Sequence, residues 1–247
     1  MSWKIAIVGT GNLGHFWTNY LREFPSVSLR ALGSTPEKTK VFCDAFDLSP
    51  YDPMASWSPD LALLCLKDDQ IAPFLSEHAP KIPMFLHGGS LSLRDFSNPN
   101  VGIIYPLQSI HCDTPSDIET IPLLCEFTPT IETIARQFLR DFKLTFHEVS
   151  EAQRHTAHVS AVFINNFGYF IMKEGLELAE KQQLEATIFK PLIKKTISNI
   201  LKNIDLQTGP AKRGDREIIQ KHLALLPDTQ KKIYEVLSNS IQLKYKK

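Results

Sequence analysis

Three groups of residues in this 247-residue chain have types and spacings that suit chemistry. The first is Gly9-Thr10-Gly11-Asn12-Leu13-Gly14, a G-x-G-x-x-G string placed directly after the apolar run Lys4–Val8 and directly before a helical pattern. In that context the glycines do separate jobs. Gly9 permits a tight turn, Gly11 lets backbone approach a pyrophosphate, and Gly14 lets helix and strand pack closely. The free N–H groups at the helix start attract an anion. The second group is a set of polar side chains at strand ends, His87-Gly88 and Tyr105 with Gln108, together with His155, His158 and Asn166 further on. The third is Lys212-Arg213 inside the Gly- and Pro-broken string Thr208–Asp215.

The glycine string implies a dinucleotide, and the end of the second strand bears on which one. An enzyme that uses NAD usually carries Asp or Glu there to hold the ribose 2′-hydroxyl. This chain has Leu32-Gly33-Ser34-Thr35-Pro36-Glu37-Lys38, with no acid at the strand end. Ser34 and Thr35 can donate to a 2′-phosphate and Lys38 can pair with it, so NADP is expected in preference to NAD.

The elements that position these groups follow from the pattern. Buried strands are expected at 4–8, 27–32, 60–66, 84–87 and 101–105. Helices are expected at 15–24, from Pro36, and from Lys67 until Pro73 stops it. Alternating strands and helices predict βαβ units and a doubly wound parallel sheet. From Ser150 onward the pattern is helical. Ser150 and Gln153 form a capping box, and the helix they open is expected to run to about Gln182. Its stretch Ala157–Met172 is apolar nearly all round, which predicts burial at the centre of a bundle. Helices also fit 185–203, 215–225 and 228–244. The expected domains are 1–148 and 149–247.

Along the long helix, His158, Val162 and Asn166 step by four and share a face, with His155 beside them. Asn165 and Asn166 lie in the run expected to be buried, where an unpartnered amide is costly, so a hydrogen-bonding role is expected. Histidine titrates in the range a proton donor needs. His158 is the first candidate, Tyr105 the second, and Asn166 a neighbour to cofactor or substrate. Arg213 suits a carboxylate or phosphate in two-pronged fashion, unless it and Asp215 simply lock their loop.

Composition excludes several classes. Lys+Arg and Asp+Glu are both 27, so the formal net charge is zero. That removes the electrostatic footprint of a dedicated nucleic-acid binder and the polybasic segment that holds a protein on anionic membrane. The cysteines, Cys43, Cys65, Cys112 and Cys125, have no zinc or disulfide-framework spacing. No metal is expected, no apolar run reaches the roughly 20 residues of a membrane span, and a cytoplasmic protein is expected.

Six strings together resemble a known family: Gly9–Gly14, Leu66–Ile71, His87–Ser90, Tyr105–Ser109, His158–Phe167 and Thr208–Asp215. They resemble the uncharacterised Rossmann-like oxidoreductases that carry a C-terminal helical domain of unknown function. These look like relatives of pyrroline-5-carboxylate reductase and of the deazaflavin-dependent NADP oxidoreductases. Their second domain is similar to the C-terminal domain of 6-phosphogluconate dehydrogenase. The resemblance implies a Rossmann α/β domain followed by an all-α 6-phosphogluconate dehydrogenase C-terminal-like domain, NADP binding and a homodimer. It adds Leu66 to the expected cofactor contacts, and it places Gln108, Lys212 and Arg213 near substrate. There are two departures. Members commonly have His where this chain has Tyr105, and the wider superfamily's catalytic Lys falls at Val162. The expected activity is hydride transfer between NADP(H) and a small imine, ketone or alcohol. The alternative is a dinucleotide-binding sensor or assembly protein without turnover.

Overall fold

The computed structural model describes residues 2–78, 81–112, 118–202 and 205–245. Chain contacts divide it into two compact units, Met1–Asn166 and Phe167–Lys247. The first unit runs β1 (Trp3–Val8), α1 (Asn12–Leu21), β2 (Val27–Leu32), α2 (Pro36–Phe46), β3 (Ser49–Pro50), β4 (Leu61–Leu64) and α3 (Asp68–His78). It continues with β5 (Met84–Leu86), β6 (Val101–Pro106), β7 (Leu123–Phe127), α4 (Glu132–Asp141), β8 (Phe146–Glu148) and α5 (Glu151–Ala161). The strands form one sheet in the order β3-β2-β1-β4-β5-β6-β7-β8.

The expected doubly wound arrangement is present. Ile5 and Ile7 of β1 point into a core with Trp17, Phe138 and Phe142, while Ala6 and Val8 point into another with Ile71, Leu75 and Tyr51. Alternate residues of one strand thus feed cores on opposite faces, each covered by helices. The sheet is parallel except at β6–β7, which pair antiparallel from Gly102–Phe127 to Pro106–Leu123. β3, β7, α4 and β8 were not anticipated. The helix expected to stop at Pro73 continues to His78 with Pro73 inside it, because a proline N costs that helix a single internal bond.

The long helix departs most from expectation. Its capping box forms as read, with Ser150 Oγ accepting from Gln153 N and Gln153 Oε1 from Ser150 N. It is not continuous α-helix to Gln182. α5 ends at Ala161, a π-helical turn spans Val162–Phe167, and α6 (Gly168–Glu180) follows. Nor is the apolar run buried: Phe163 is 65% and Ile164 79% exposed, and Asn165 and Asn166 are exposed too. The burial argument for the two amides therefore does not apply within one chain. The second unit holds α6 with α7 (Lys190–Leu201), α8 (Pro210–Arg213), α9 (Arg216–Leu225) and α10 (Asp228–Tyr245). Among its described residues, only Ala179, Ala211, Leu223 and Ser238 are buried, too thin a core to cover a strongly apolar helix. The helix expected over 185–203 is a 3₁₀ turn, Ala186–Phe189, leading into α7, and Asn203 lies outside the described residues.

α5 belongs to the same unit as the sheet, and one side chain explains why. Arg154 is completely buried. Its guanidinium donates to the carbonyls of Gly88 (3.4 Å), Gly89 (2.8 Å) and Leu91 (2.7 Å) and to Glu126 Oε2 on β7 (2.8 Å). One cation thereby joins α5, the loop after β5 and the antiparallel strand. Ser92 Oγ adds a bond to Glu151 Oε2 at 2.9 Å. Replacing Arg154 by Met strands those carbonyls and the Glu126 carboxylate, so a loss of about 3–5 kcal/mol is expected. Urea unfolding followed by tryptophan fluorescence measures it; an unchanged midpoint would refute this role for Arg154.

Candidate functional site

The glycine turn has the geometry its spacing predicts. Gly9 has φ +108, and a Cβ there would lie 2.2 Å from the Cys65 carbonyl oxygen. A Cβ on Gly14 would lie 2.1 Å from the Gly9 carbonyl oxygen, so Gly14 serves the close strand–helix approach. Above Gly11 there is open space, with nothing within 4 Å of a Cβ. That is the cradle a pyrophosphate needs, facing the start of α1.

Three cavities run on from this turn, all lined by the first unit. The first, about 520 Å³, extends from Gly9-Thr10-Gly11 past Leu66 to Ser34, Glu37 and Lys38. The second, about 400 Å³, is lined by Gly11, Asn12, Leu13, Leu66, His87, Tyr105 and Gln108 among others. The third, about 620 Å³, lies between the Tyr105–Ser109 segment and α5 with its π turn, reaching His158 and Asn166. The first and second share Gly11, Cys65, Leu66 and Lys67; the second and third share Tyr105 and Gln108. The linings overlap from end to end, so the cavities form one trough.

Most of the residues expected from sequence line this trough, with specific exceptions. Thr35 does not line it. Its Oγ1 accepts from Lys38 N at 3.2 Å and caps α2. Hydrogen bonds from its own backbone N–H, then from the Thr35 hydroxyl, hold the Glu37 carboxyl below the usual range. Gly88 is closed over, since a Cβ there would meet Leu91 at 2.6 Å and Asp68 Oδ1 at 2.8 Å. The ring that passes close to Gly89 is His158, whose Nδ1 would lie 2.6 Å from an added Cβ. Arg213 and Lys212 belong to the second unit. Arg213 lies 3.9 Å from Asp215, which caps α9, and Lys212 sits over the Tyr245 ring at 4.7 Å.

The reacting end is centred on a pair. Tyr105 Oη and His158 Nδ1 are 2.9 Å apart, and their rings meet edge to face at 5.5 Å. Burial pushes the Tyr105 hydroxyl up, so it keeps its proton at neutral pH. His155 is turned away, with Nε2 3.2 Å from the Leu91 carbonyl. His87 is buried, and its Nδ1–H donates to the Ile104 carbonyl at 2.7 Å. That bond fixes the tautomer and leaves Nε2 as a lone-pair acceptor, which has no partner among the described residues.

Three contributors escaped sequence reasoning. Arg154 carries no motif. Lys67, directly after a strand end, lines both cavities at the glycine turn. His15 lines the first cavity, its Nδ1 3.1 Å from the Gly11 carbonyl and its ring packed edge-on against Phe42 at 4.9 Å. The spacing of His15 from the turn, one residue after the last glycine, was the available signal.

Residues 121–241 match the family model for a domain of unknown function, DUF2520. No curated protein sequence matches the chain. A candidate NADP oxidoreductase from Bacteroides fragilis has a similar structure, with TM-score 0.82 and 25% identity over 98% of both chains. An imine reductase from Streptomyces aurantiacus gives TM-score 0.69 and 12% identity over 96% of this chain and 93% of that one. The 1-pyrroline-5-carboxylate reductase of Streptococcus pyogenes gives 0.64 and 16% over 98% of each. The resemblance read from sequence is borne out: this is a Rossmann-type α/β fold with a helical C-terminal region, and the structures similar to it include a candidate NADP oxidoreductase, an imine reductase and a pyrroline-5-carboxylate reductase.

His87 makes the site sensitive to acid. Burial holds its pKa down at about 4, below the ordinary 6.5, with the bond to Ile104 opposing in part. Above pH 6.5 the ring is neutral in folded and unfolded chains alike. As pH falls from 6.5 to about 4, the unfolded chain takes up the proton first, so stability declines across that window. The slope approaches about 1.4 kcal/mol per pH unit. In His87→Asn this component is absent, so the variant's deficit relative to wild type in urea unfolding narrows between pH 7 and pH 4. A deficit constant with pH would contradict it.

Proposed function

We propose that the chain is an NADP-dependent oxidoreductase acting on a small imine, ketone or alcohol. The observation that carries the reading is the row of overlapping cavities, with a glycine turn open to a diphosphate between the first and second and a tyrosine–histidine pair at the third. The residues suit a nicotinamide dinucleotide: Gly11 and the start of α1 for the diphosphate, Ser34 and Lys38 for the 2′-phosphate, and the Nε2 lone pair of His87 for an N–H donor. Glu37, the acid in the first cavity, is already engaged by Thr35 and its own N–H, which favours the phosphate-bearing cofactor. When bound, the nicotinamide supplies or accepts the hydride.

The protein's own share is the proton. Reduction of a C=N or C=O bond adds one hydrogen to carbon and a proton to the heteroatom. The Tyr105–His158 pair is the proton-carrying group in the third cavity. One ring holds the other through the 2.9 Å contact, so either can pass a proton outward and be refilled by its neighbour. Packing of the His158 ring on Gly89, with Arg154 tying α5 to the Gly89 carbonyl, fixes that pair.

A non-catalytic dinucleotide-binding role is favoured by one observation: Val162, where the hydroxyacid dehydrogenases of the wider superfamily place a lysine, lines the third cavity. A homodimer is part of the proposal. The exposed Phe163, Ile164 and Tyr169 and the thin core of the helical unit call for apolar cover, which a second copy supplies. The unbridged cysteines fit a reducing compartment such as the cytoplasm. Among the described residues no helix is long and apolar enough to cross a membrane.

Calorimetry and a substrate panel test the reading. NADPH is expected to bind at least tenfold tighter than NADH, with Lys38→Ala removing most of that difference and Gly11→Leu abolishing binding of both. On a panel of imines and ketones, His158→Ala lowers kcat by about 10²-fold or more while NADPH affinity is kept. Binding without oxidation by any compound selects the non-catalytic role. No binding of any of the four nicotinamide dinucleotides by folded protein removes the proposal.

A further inference from the structure

The third cavity carries a chemical signature of its own. Its described lining contains no Lys, Arg, Asp or Glu. Lys67, the cation of the trough's middle, lines the two cavities at the glycine turn and not this one. What the wall offers beside the Tyr105–His158 pair is neutral: the amides of Gln108, Asn165 and Asn166 and the hydroxyls of Ser109 and Ser160.

The unspent hydrogen bonds can be read one by one. Gln108 Oε1 accepts from Ser109 N at 2.9 Å, which leaves its NH₂ as the free end. The Ser160 hydroxyl donates to the Thr156 carbonyl at 2.8 Å, which leaves it only lone pairs. The Asn165 and Asn166 side chains form no hydrogen bond with another described residue, so each presents both donors and an acceptor. The wall therefore offers donors and acceptors together.

The π turn is what brings the amides here. In uninterrupted α-helix, Asn166 would be rotated about 80° from His158, since eight steps of 100° overshoot two turns. The wider turn over Val162–Phe167 takes much of that rotation back. Pairs of residues at a strict step of four then share one cavity: Ala157-His158, Ala161-Val162 and Asn165-Asn166.

A carboxylate or phosphate on this wall would lose water without gaining a cation, and it would face the lone pairs of Ser160 and of two asparagine oxygens. A carboxamide or lactam presents an N–H and a C=O side by side, which is what this wall complements. A site built to hydrogen-bond such groups discriminates strongly against analogues that leave them unpaired.

We infer that this cavity selects an uncharged carbonyl or imine compound bearing an amide-type group, over the corresponding carboxylate. The inference names the substrate class of the oxidoreductase proposed above and rests on that reading. Two matched pairs test it on the whole chain: pyruvamide against pyruvate, and 1-pyrroline-2-carboxamide against 1-pyrroline-2-carboxylate. NADPH oxidation is expected to show at least a tenfold higher kcat/KM for the amide of each pair. Asn166→Lys, which supplies a cation, is expected to shrink that ratio at least tenfold. A second readout is independent of turnover: titration of the NADP-loaded protein, following the side-chain amide NMR signals of Asn165 and Asn166. Tighter amide binding with no turnover would overturn the oxidoreductase reading and keep the selectivity. Equal or tighter binding of the carboxylates would overturn the inference. Failure of all four compounds to bind overturns it as well.

Discussion

The site depends on a cation that never meets solvent. Arg154 is completely buried, and its acceptors belong to two different pieces of the site. The Gly88, Gly89 and Leu91 carbonyls are the loop that leaves β5, and Glu126 is on the strand that turns the sheet antiparallel. A buried guanidinium is tolerable only when nearly all of its donors are met. Satisfying them requires α5, the loop and β7 to be in register. That register puts His158, one turn further along α5, on the bare face of Gly89 and in reach of Tyr105. The arginine acts through geometry alone, as a positioning residue.

The π turn complements this anchor. Arg154 fixes where α5 starts across the sheet, and the turn adjusts which side chains α5 still presents at its far end. An extra residue in a helical turn is strained and uncommon, and such turns occur frequently at functional sites. Here it falls on Val162–Phe167, the segment that holds both asparagines. The same widening leaves Phe163 and Ile164 on the outside. The polar lining of the third cavity and the apolar outer face are thus two results of one backbone adjustment.

What was legible in the sequence divides along physical lines. β1 and β2 stood out because strands buried on both faces read as unbroken apolar runs. The glycine turn stood out because only glycine meets its steric demands, as the 2.1 Å and 2.2 Å approaches at Gly14 and Gly9 show. β7 did not: Leu123–Phe127 has no alternation and sits among prolines and threonines. Arg154 did not, since a charged residue near a helix start reads as solvated unless its acceptors, distant in sequence, are known. The π turn is a shift of backbone hydrogen bonds that no residue type announces. The apolar run Ala157–Met172 reads as the centre of a bundle, and within the chain it is instead largely exposed. Composition could not say that Phe163 and Ile164 are exposed among the described residues.

Charge is sorted along the trough, and the sorting has a physical consequence. Lys38, Glu37 and Lys67 stand toward the glycine turn. Three titratable groups that face the trough are held neutral by burial. Burial keeps the Cys65 thiol protonated, keeps the His87 imidazole free of a second proton, and raises the Tyr105 hydroxyl. A field of this shape orients a ligand that is anionic at one end and uncharged at the other, because only one alignment puts its phosphates beside cations. In a region of few charges, water is the main competitor for a hydrogen bond, and each donor or acceptor that a ligand satisfies counts for more than it would in bulk solvent. The neutral amides along the π turn therefore gain discriminating power from the absence of charged side chains in the described wall. A charged residue placed among them would weaken that power by drawing water in, which is why the uncharged character of this wall matters as much as the residues that line it.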